Sequence, residues 1–122
     1  MTVFKKYLVP LNNNIKTNIA ICNNIIHGIN TSMNYKQKYY IGRTNNPNIR
    51  LHQHMKTKNM KNMYLIGRMD KNCEQIKELE DELIKQHGKY NICLNKPNTK
   101  WGGGYSGGFN PYKTNYIYLL FY

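Results

Sequence analysis

Residues 40–54, YIGRTNNPNIRLHQH, carry the clearest structural signals in the chain. The apolar start of this stretch, Tyr40-Ile41-Gly42, predicts a strand that ends near the glycine. A helix should follow, because Asn46 is a favourable helix cap and Pro47 suits the first helical position. We expect this helix to continue to about Met55. The stretch therefore predicts a strand and a helix in close succession.

The residues before this stretch predict further strands. An apolar run at 25–29 and a turn at 34–37 favour a β-hairpin whose second strand is 38–42. Residues 3–11 are compatible with a strand that ends at its proline, and residues 18–22 with another. The hairpin would make the YIG tripeptide part of its second strand.

The residues after the stretch predict a strand and a second helix. Residues 63–69 are almost continuously apolar, which favours a central strand of the sheet. A helix is expected from 73 to 87, with Asn72 as its cap and Gln75 reaching back to it. Gly88 would end this helix.

One carboxylate of the second helix falls inside the apolar stripe. With Ile76 at zero degrees, the apolar positions Leu79, Leu83 and Ile84 lie within roughly 80°, and Glu80 lies at about 40°. Burying a carboxylate costs several kcal/mol unless a cation or hydrogen-bond donors compensate it. A divalent metal or an arginine would do so. The alternative is a glutamate at the margin of the stripe whose carboxylate extends into water.

The carboxy-terminal part is less regular. Residues 90–95 predict a short strand or extended segment, and 101–108 (WGGGYSGG), with five of the nine glycines, predicts a loop. The aromatic and apolar tail, 116–122, is expected to pack as an edge strand, or to form a homodimer surface if exposed. We expect one domain over 1–122.

Charge indicates the class of partner. The net charge is +12, and all six acidic residues lie between Asp70 and Glu82. Such an unrelieved positive field attracts nucleic acid first and an acidic membrane surface second. The alternative is a solvated surface produced by A/T-rich codons. No apolar run approaches the roughly 20 residues of a membrane span, so no membrane partner is expected.

Three cysteines, Cys22, Cys73 and Cys93, without CxxC spacing favour neither a disulfide scaffold nor a zinc site. They are expected to be buried thiols in a reducing, intracellular compartment. Base bias and small size suit a virus or mobile element.

Taken in order, these segments resemble the GIY-YIG nuclease domain over residues 28–97. Residues 40–54 are similar to structure-selective and homing endonucleases, and LEDELIKQHGKYN (79–91) is similar to a helix of the excision-repair incision subunit. The segment 101–108 resembles the one that follows the catalytic domain in phage-type homing endonucleases. The resemblance implies a catalytic core at 24–98, followed by the loop and tail at 99–122.

The resemblance also implies a fold and a chemistry. The fold would be α+β, a small three-stranded antiparallel sheet flanked by helices. The reaction would be hydrolysis of a DNA phosphodiester with one Mg²⁺ or Mn²⁺, held by Glu80 as its sole protein ligand. Arg50 would hold the scissile phosphate, while Tyr40 would orient or deprotonate the attacking water. The remaining implied site residues are His54, assisting at the phosphate, and Gly42, Arg43 and Asn91, contacting the substrate or supporting the site.

One motif departs from the family pattern. The family's Gly-Ile-Tyr lies about ten residues before YIG, and its tyrosine is usually the general base; the best match here is Gly28-Ile29-Asn30. Tyr35 or Tyr39 could replace that tyrosine, or the strand at 3–11 could precede a long insertion. Because Asn30 cannot accept a proton at neutral pH, the alternative function is a catalytically impaired nucleic-acid-binding module on the same fold.

Overall fold

The computed structural model describes residues 2–58, 62–70, 73–95 and 113–121. These residues form an α+β fold. In chain order the elements are β1 (Thr2–Phe4), β2 (Val9–Pro10), α1 (Ile15–Ser32), β3 (Tyr39–Thr44), α2 (Pro47–Lys58), β4 (Asn62–Asp70), α3 (Cys73–His87) and β5 (Thr114–Phe121). The predicted cap at Asn72 and the glycine-rich segment 101–108 lie outside the described residues.

The strands form one mixed sheet. Their order is β1-β4-β5-β3, and β2 also pairs with β4. β5 is antiparallel to β3 and β4, whereas β1 and β2 are parallel to β4. The expected three-stranded antiparallel sheet is therefore wrong in strand number and direction. Parallel strands need a long crossover, which α1, β3 and α2 provide between β2 and β4.

The carboxy-terminal strand lies inside the sheet. β5 pairs with β3 on one side and β4 on the other, and its residues 117–121 are buried. The expectation of an edge strand is wrong. The internal position explains the continuous apolar run of β5, because a strand that is covered on both faces needs apolar side chains on both faces. These buried side chains do not offer the exposed homodimer surface that was considered for the tail.

The segments expected to form an early strand and the first strand of a hairpin are helical, whereas the expected second strand of the hairpin corresponds to β3. Residues 18–22 and 25–29 both lie within α1, so the predicted strands there are wrong. Gly28-Ile29-Asn30 is also helical and cannot form the strand of a first motif. Asn14 caps the helix, accepting a hydrogen bond at 3.0 Å from the backbone N–H of Thr17.

Other predictions are confirmed. α2 begins at Pro47, and Asn46 Oδ1 accepts a hydrogen bond from the backbone N–H of Ile49 at 3.2 Å. α3 has the predicted bounds, and the Gly88 N–H bonds the Ile84 carbonyl where the helix ends. β4 is an internal strand, as expected. Residues 90–95 contribute one isolated bridge to the sheet rather than a strand.

Helices cover both faces of the sheet. Side chains of α1 and α3 pack on one face in a core cluster with Ile41, Ile117 and Leu119. Leu51 of α2 packs on the opposite face with Leu120 and other residues of that face. Because successive strand residues point to opposite faces, the two sets alternate along β3 and β5.

We predict that Leu119→Ala lowers the free energy of unfolding by about 2–5 kcal/mol, the usual cost of a truncated core leucine. Leu119 is fully buried in the internal strand. Urea denaturation followed by circular dichroism measures the change. Ile49→Ala is the matched control, because Ile49 is 56% exposed on α2, and it should change stability by less than about 0.5 kcal/mol. Equal effects of the two variants would contradict the internal position of β5.

Candidate active site

The centre of the site is a close approach between Gly42 and Tyr118. These residues are partners in the β3–β5 ladder. A Cβ on Gly42 would overlap Cζ and Oη of Tyr118, so the phenol ring lies directly over the glycine. The glycine of the YIG tripeptide is therefore required for space, since any side chain there would displace the ring.

Tyr118 belongs to a compact aromatic cluster with Tyr40 and His54. The Tyr118 hydroxyl lies 2.7 Å from Nε2 of His54. The Tyr40 ring centroid is 4.9 Å from that of His54 and 6.3 Å from that of Tyr118. The exposed fractions of Tyr118, His54 and Tyr40 are 0%, 4% and 8%. β3 and β5 supply the tyrosines and α2 supplies the histidine, so the structure brings together two predicted site residues and one unpredicted one.

Glu80 is buried, as the helical periodicity predicts. Its exposed fraction is 4%, and its Oε1 lies 3.3 Å from Nε of Arg43. Among the described residues, no donor makes a hydrogen bond to that oxygen. Burial raises the pKa of the carboxyl to about 7, an increase that Arg43 only partly opposes. The ion pair thus leaves this carboxylate incompletely compensated.

Arg50 influences the pKa values of the buried acidic and phenolic side chains of the site. Its positive charge opposes the increase in pKa of Glu80, Tyr40 and Tyr118, and it also forms a hydrogen bond that lowers the pKa of Tyr118. The ion-pair partner of Glu80 is Arg43, and Arg50 is a second arginine whose charge acts on the same carboxylate.

Both tyrosines of the cluster keep their protons at neutral pH. Burial raises the pKa of Tyr40 to about 12, with the negative charge of Glu80 adding to the increase. The pKa of Tyr118 is raised well above its ordinary value, again chiefly by burial. The nearby arginines oppose these increases without cancelling them. Either phenol would need a further positive charge close by to act as a base.

The structure separates Asn91 from this cluster. Asn91 is exposed and lines a cavity beside Tyr39 on the face covered by α1 and α3. The asparagine that contacts the YIG strand is Asn95, which is fully buried. Its amide accepts a hydrogen bond from the Ile41 N–H at 2.6 Å and donates one to the Ile41 carbonyl at 2.9 Å. Asn95 thereby satisfies backbone groups on the outer side of β3, which is the edge strand.

The two tyrosines considered as replacements for the missing motif residue lie elsewhere. The Tyr39 hydroxyl is 2.9 Å from Nδ1 of His87, on the face opposite Tyr40. Tyr35 is exposed and hydrogen-bonds His27. Tyr118 was missed because strand pairing across the chain is not visible in local periodicity. The tripeptide Tyr116-Ile117-Tyr118, with an aromatic residue at the third position like Gly-Ile-Tyr, was the available signal.

The side chains around Glu80 suit a divalent cation held by this one carboxylate, rather than a metal site with several protein ligands. Among the described residues no three histidine, cysteine or acidic side chains converge on one point. A buried carboxylate oxygen with no hydrogen bond suits a hard cation such as Mg²⁺, which commonly uses one or two carboxylates and takes water and phosphate oxygens for the rest.

No family model, curated protein or solved structure matches this chain. Across the described segments, no helix is both long and apolar enough to cross a membrane.

We predict that Gly42→Ala destabilises the protein by about 1–3 kcal/mol, the usual range for overpacking, because the new methyl group displaces the buried Tyr118 ring. Thermal denaturation measures the change. Gly28→Ala is the matched control: an added Cβ meets no atom within 4 Å, so alanine in α1 should stabilise by about 0.5–1 kcal/mol. A neutral Gly42→Ala substitution would contradict the close approach.

We also predict that Glu80 makes stability fall with rising pH. Its pKa is raised from an ordinary value of 4.5 to about 7 on folding, so between these values the folded protein binds more protons than the unfolded chain. The free energy of unfolding should therefore decrease over this interval and lose this contribution to its slope above pH 7. Glu80→Gln should flatten the profile, while Glu78→Gln, on an exposed residue, should not. Urea titrations across the interval measure both slopes, and identical profiles for the two variants would exclude the buried carboxylate as the cause.

Proposed function

We propose that this protein is a metal-dependent DNA endonuclease that hydrolyses phosphodiester bonds, in the manner of the GIY-YIG domain it resembles. The observation that carries the proposal is a buried Glu80–Arg43 ion pair that interacts electrostatically with Arg50, with Tyr40 and with the Tyr118 of a hydrogen-bonded Tyr–His pair. The net charge of +12 favours a polyanionic substrate.

Glu80 would hold Mg²⁺ or Mn²⁺. When bound, such an ion polarises a phosphoryl oxygen and stabilises the charge that develops on it. Arg43 keeps the Glu80 carboxylate in place through the 3.3 Å contact. Arg50 would bind the scissile phosphate, because a guanidinium matches two phosphate oxygens at once.

The aromatic cluster would position the attacking water and hold its proton. Tyr40 is the most exposed of the three aromatic side chains, at 8%, and its hydroxyl would orient the water. Tyr118 would donate its hydroxyl hydrogen to Nε2 of His54 across 2.7 Å as it accepts a proton from the water side. A neutral histidine can accept that proton, so the pair completes the transfer without leaving a phenolate.

The proposal also accounts for the departure at Asn30. In the family pattern, the first-motif strand and the YIG strand form a hairpin, and the tyrosine of the first motif acts as the base. Here β5 is the antiparallel neighbour of the YIG strand, and Tyr118 is the third residue of Tyr116-Ile117-Tyr118. We propose that β5 takes the part of the first-motif strand, so that the motif order in the chain is permuted.

A nucleic-acid-binding module on the same fold is the second candidate. It is favoured by one observation: burial raises the pKa of both tyrosines, which leaves them poor bases unless a cation is bound. Such a module would keep the basic surface and bind DNA without cutting it.

Incubation of the purified protein with supercoiled plasmid and Mg²⁺ tests the proposal. We expect nicking by the wild type, loss of nicking in Glu80→Ala, and retention in Glu78→Ala, which removes an exposed carboxylate two residues away. Tyr118→Phe should slow nicking by about 10²–10⁴-fold, the usual contribution of a positioned acid–base group, with little loss of DNA binding.

Two results would contradict the nuclease. Tight DNA binding without nicking in either Mg²⁺ or Mn²⁺ would favour the binding module. Equal nicking by the wild type and Glu80→Ala would show that Glu80 does not perform the reaction.

A further inference from the structure

A second concave site lies on the opposite face of the sheet from the Tyr40–Tyr118 cluster. A cavity of about 830 Å³ is formed by the carboxy-terminal parts of α1 and α3 and the turns that follow them. This volume is within the range typical of sites for small organic ligands. None of its lining residues belongs to the machinery proposed above.

Aromatic rings form much of the wall. Only three large apolar or aromatic side chains are substantially exposed in the described parts of the chain, and the two aromatic ones, Tyr35 (44%) and Tyr90 (49%), both line this cavity. Tyr35 has a left-handed backbone conformation, with φ of 53°. This unusual conformation accompanies its hydrogen bond to His27, which also lines the cavity. Exposed rings around a cavity suit a flat aromatic ligand that stacks on them.

His87 forms a fixed, neutral part of the wall. Its Nδ1 lies 2.9 Å from the Tyr39 hydroxyl and its Nε2 lies 2.7 Å from Oδ1 of Asn23. Burial lowers the pKa of the imidazole to about 4, and the positive charge of Lys89 adds to the decrease. The ring therefore carries no charge at neutral pH and favours a neutral aromatic ligand over an anionic one at this point.

A buried amide lies in the wall of the same space. Asn30 is 3% exposed and lines the cavity, and its Oδ1 accepts no hydrogen bond from any described residue. Leaving such an oxygen without a donor is unfavourable in a buried position. A ligand with an amino group would supply the missing donor. Lys89, whose ammonium lies 5.4 Å from the Tyr90 ring centroid, adds a positive charge at the wall.

Stacking rings, an amide acceptor and a lysine together match a nucleotide. The rings would stack on the base, Asn30 would accept from its amino group, and Lys89 would contact a phosphate. Adenine, cytosine and guanine carry such an amino group, and thymine does not.

The cavity lies a short distance along α3 from Glu80. His87 follows Glu80 by two turns of α3, which places the two residues on the same side of the helix about 10 Å apart along its axis. One DNA strand advances about 3.4 Å per nucleotide, so about three nucleotides span that distance.

We propose that this cavity binds an amino-bearing nucleobase from an unpaired nucleotide of a DNA strand. The inference rests on the proposed function for the source of the nucleotide, and it would give the enzyme a preference for DNA with an extrahelical base near the cleaved bond. The recognition chemistry, stacking plus one amide acceptor, is the same for a free nucleotide.

Fluorescence anisotropy with labelled duplexes in EDTA tests the proposal without cleavage. The duplexes differ in one position: an unpaired adenine, an unpaired thymine, an unpaired abasic residue, or none. We expect the adenine bulge to bind roughly fivefold or more tightly than the abasic bulge, the lower end of the usual contribution of one stacked base, and thymine to be weaker than adenine. Tyr90→Ala should abolish the preference, and Tyr90→Phe, which keeps the ring, should retain it.

A parallel titration with dAMP distinguishes the two sources of the base. dAMP could raise the melting temperature of the wild type but not of Tyr90→Ala, without any preference for a bulge. That result would support nucleobase binding in the cavity and identify the free nucleotide as its source. Equal affinity for the adenine and abasic bulges, with no effect of dAMP, would overturn the proposal. Because Tyr90 lies outside the candidate active site, the Tyr90→Ala variant should still nick plasmid. Loss of the nucleobase preference can therefore be distinguished from loss of the proposed nuclease activity.

Discussion

The architecture depends on the insertion of β5 between β3 and β4. Within the described residues those two strands have no ladder with each other, and β5 joins them into one sheet by pairing with both. The same strand carries Tyr118 to Gly42, where no other residue type leaves room for the phenol. Fold and candidate site therefore share one constraint, because the register that completes the sheet also places the tyrosine beside His54.

Electrostatics explains why a carboxylate occurs inside an apolar helix face. The Glu80–Arg43 pair is almost fully buried, and burial of this kind costs more than one contact returns. The raised pKa of Glu80 expresses that deficit. A divalent ion would compensate the charge of the carboxylate, and a phosphate would compensate the charge of the neighbouring arginines. The incomplete compensation of Glu80 is therefore consistent with a site that binds a charged ligand.

The sequence predicts best what local periodicity controls. α2, α3 and β4 were found correctly, and so was the burial of Glu80, because helix caps and the 3.6-residue repeat act over a few positions. α1 was missed, since its isoleucines favour strands and its asparagines are weak helix formers. Its packing against α3 and the sheet overrides those preferences. The partner of β3 and the role of Tyr118 could not be found in this way, because pairing across the chain leaves no local pattern.

The order of the elements along the chain has a consequence for synthesis on the ribosome. β5 follows all the other described elements, so α1, α2 and α3 emerge before the strand that joins β3 to β4. Until then the two strands present unpaired edges, and such edges promote association with other chains. The hydrogen bond between Tyr118 and His54 cannot form during this interval. The complete sheet, and the aromatic cluster that includes Tyr118, can therefore assemble only after the last described strand has left the ribosome.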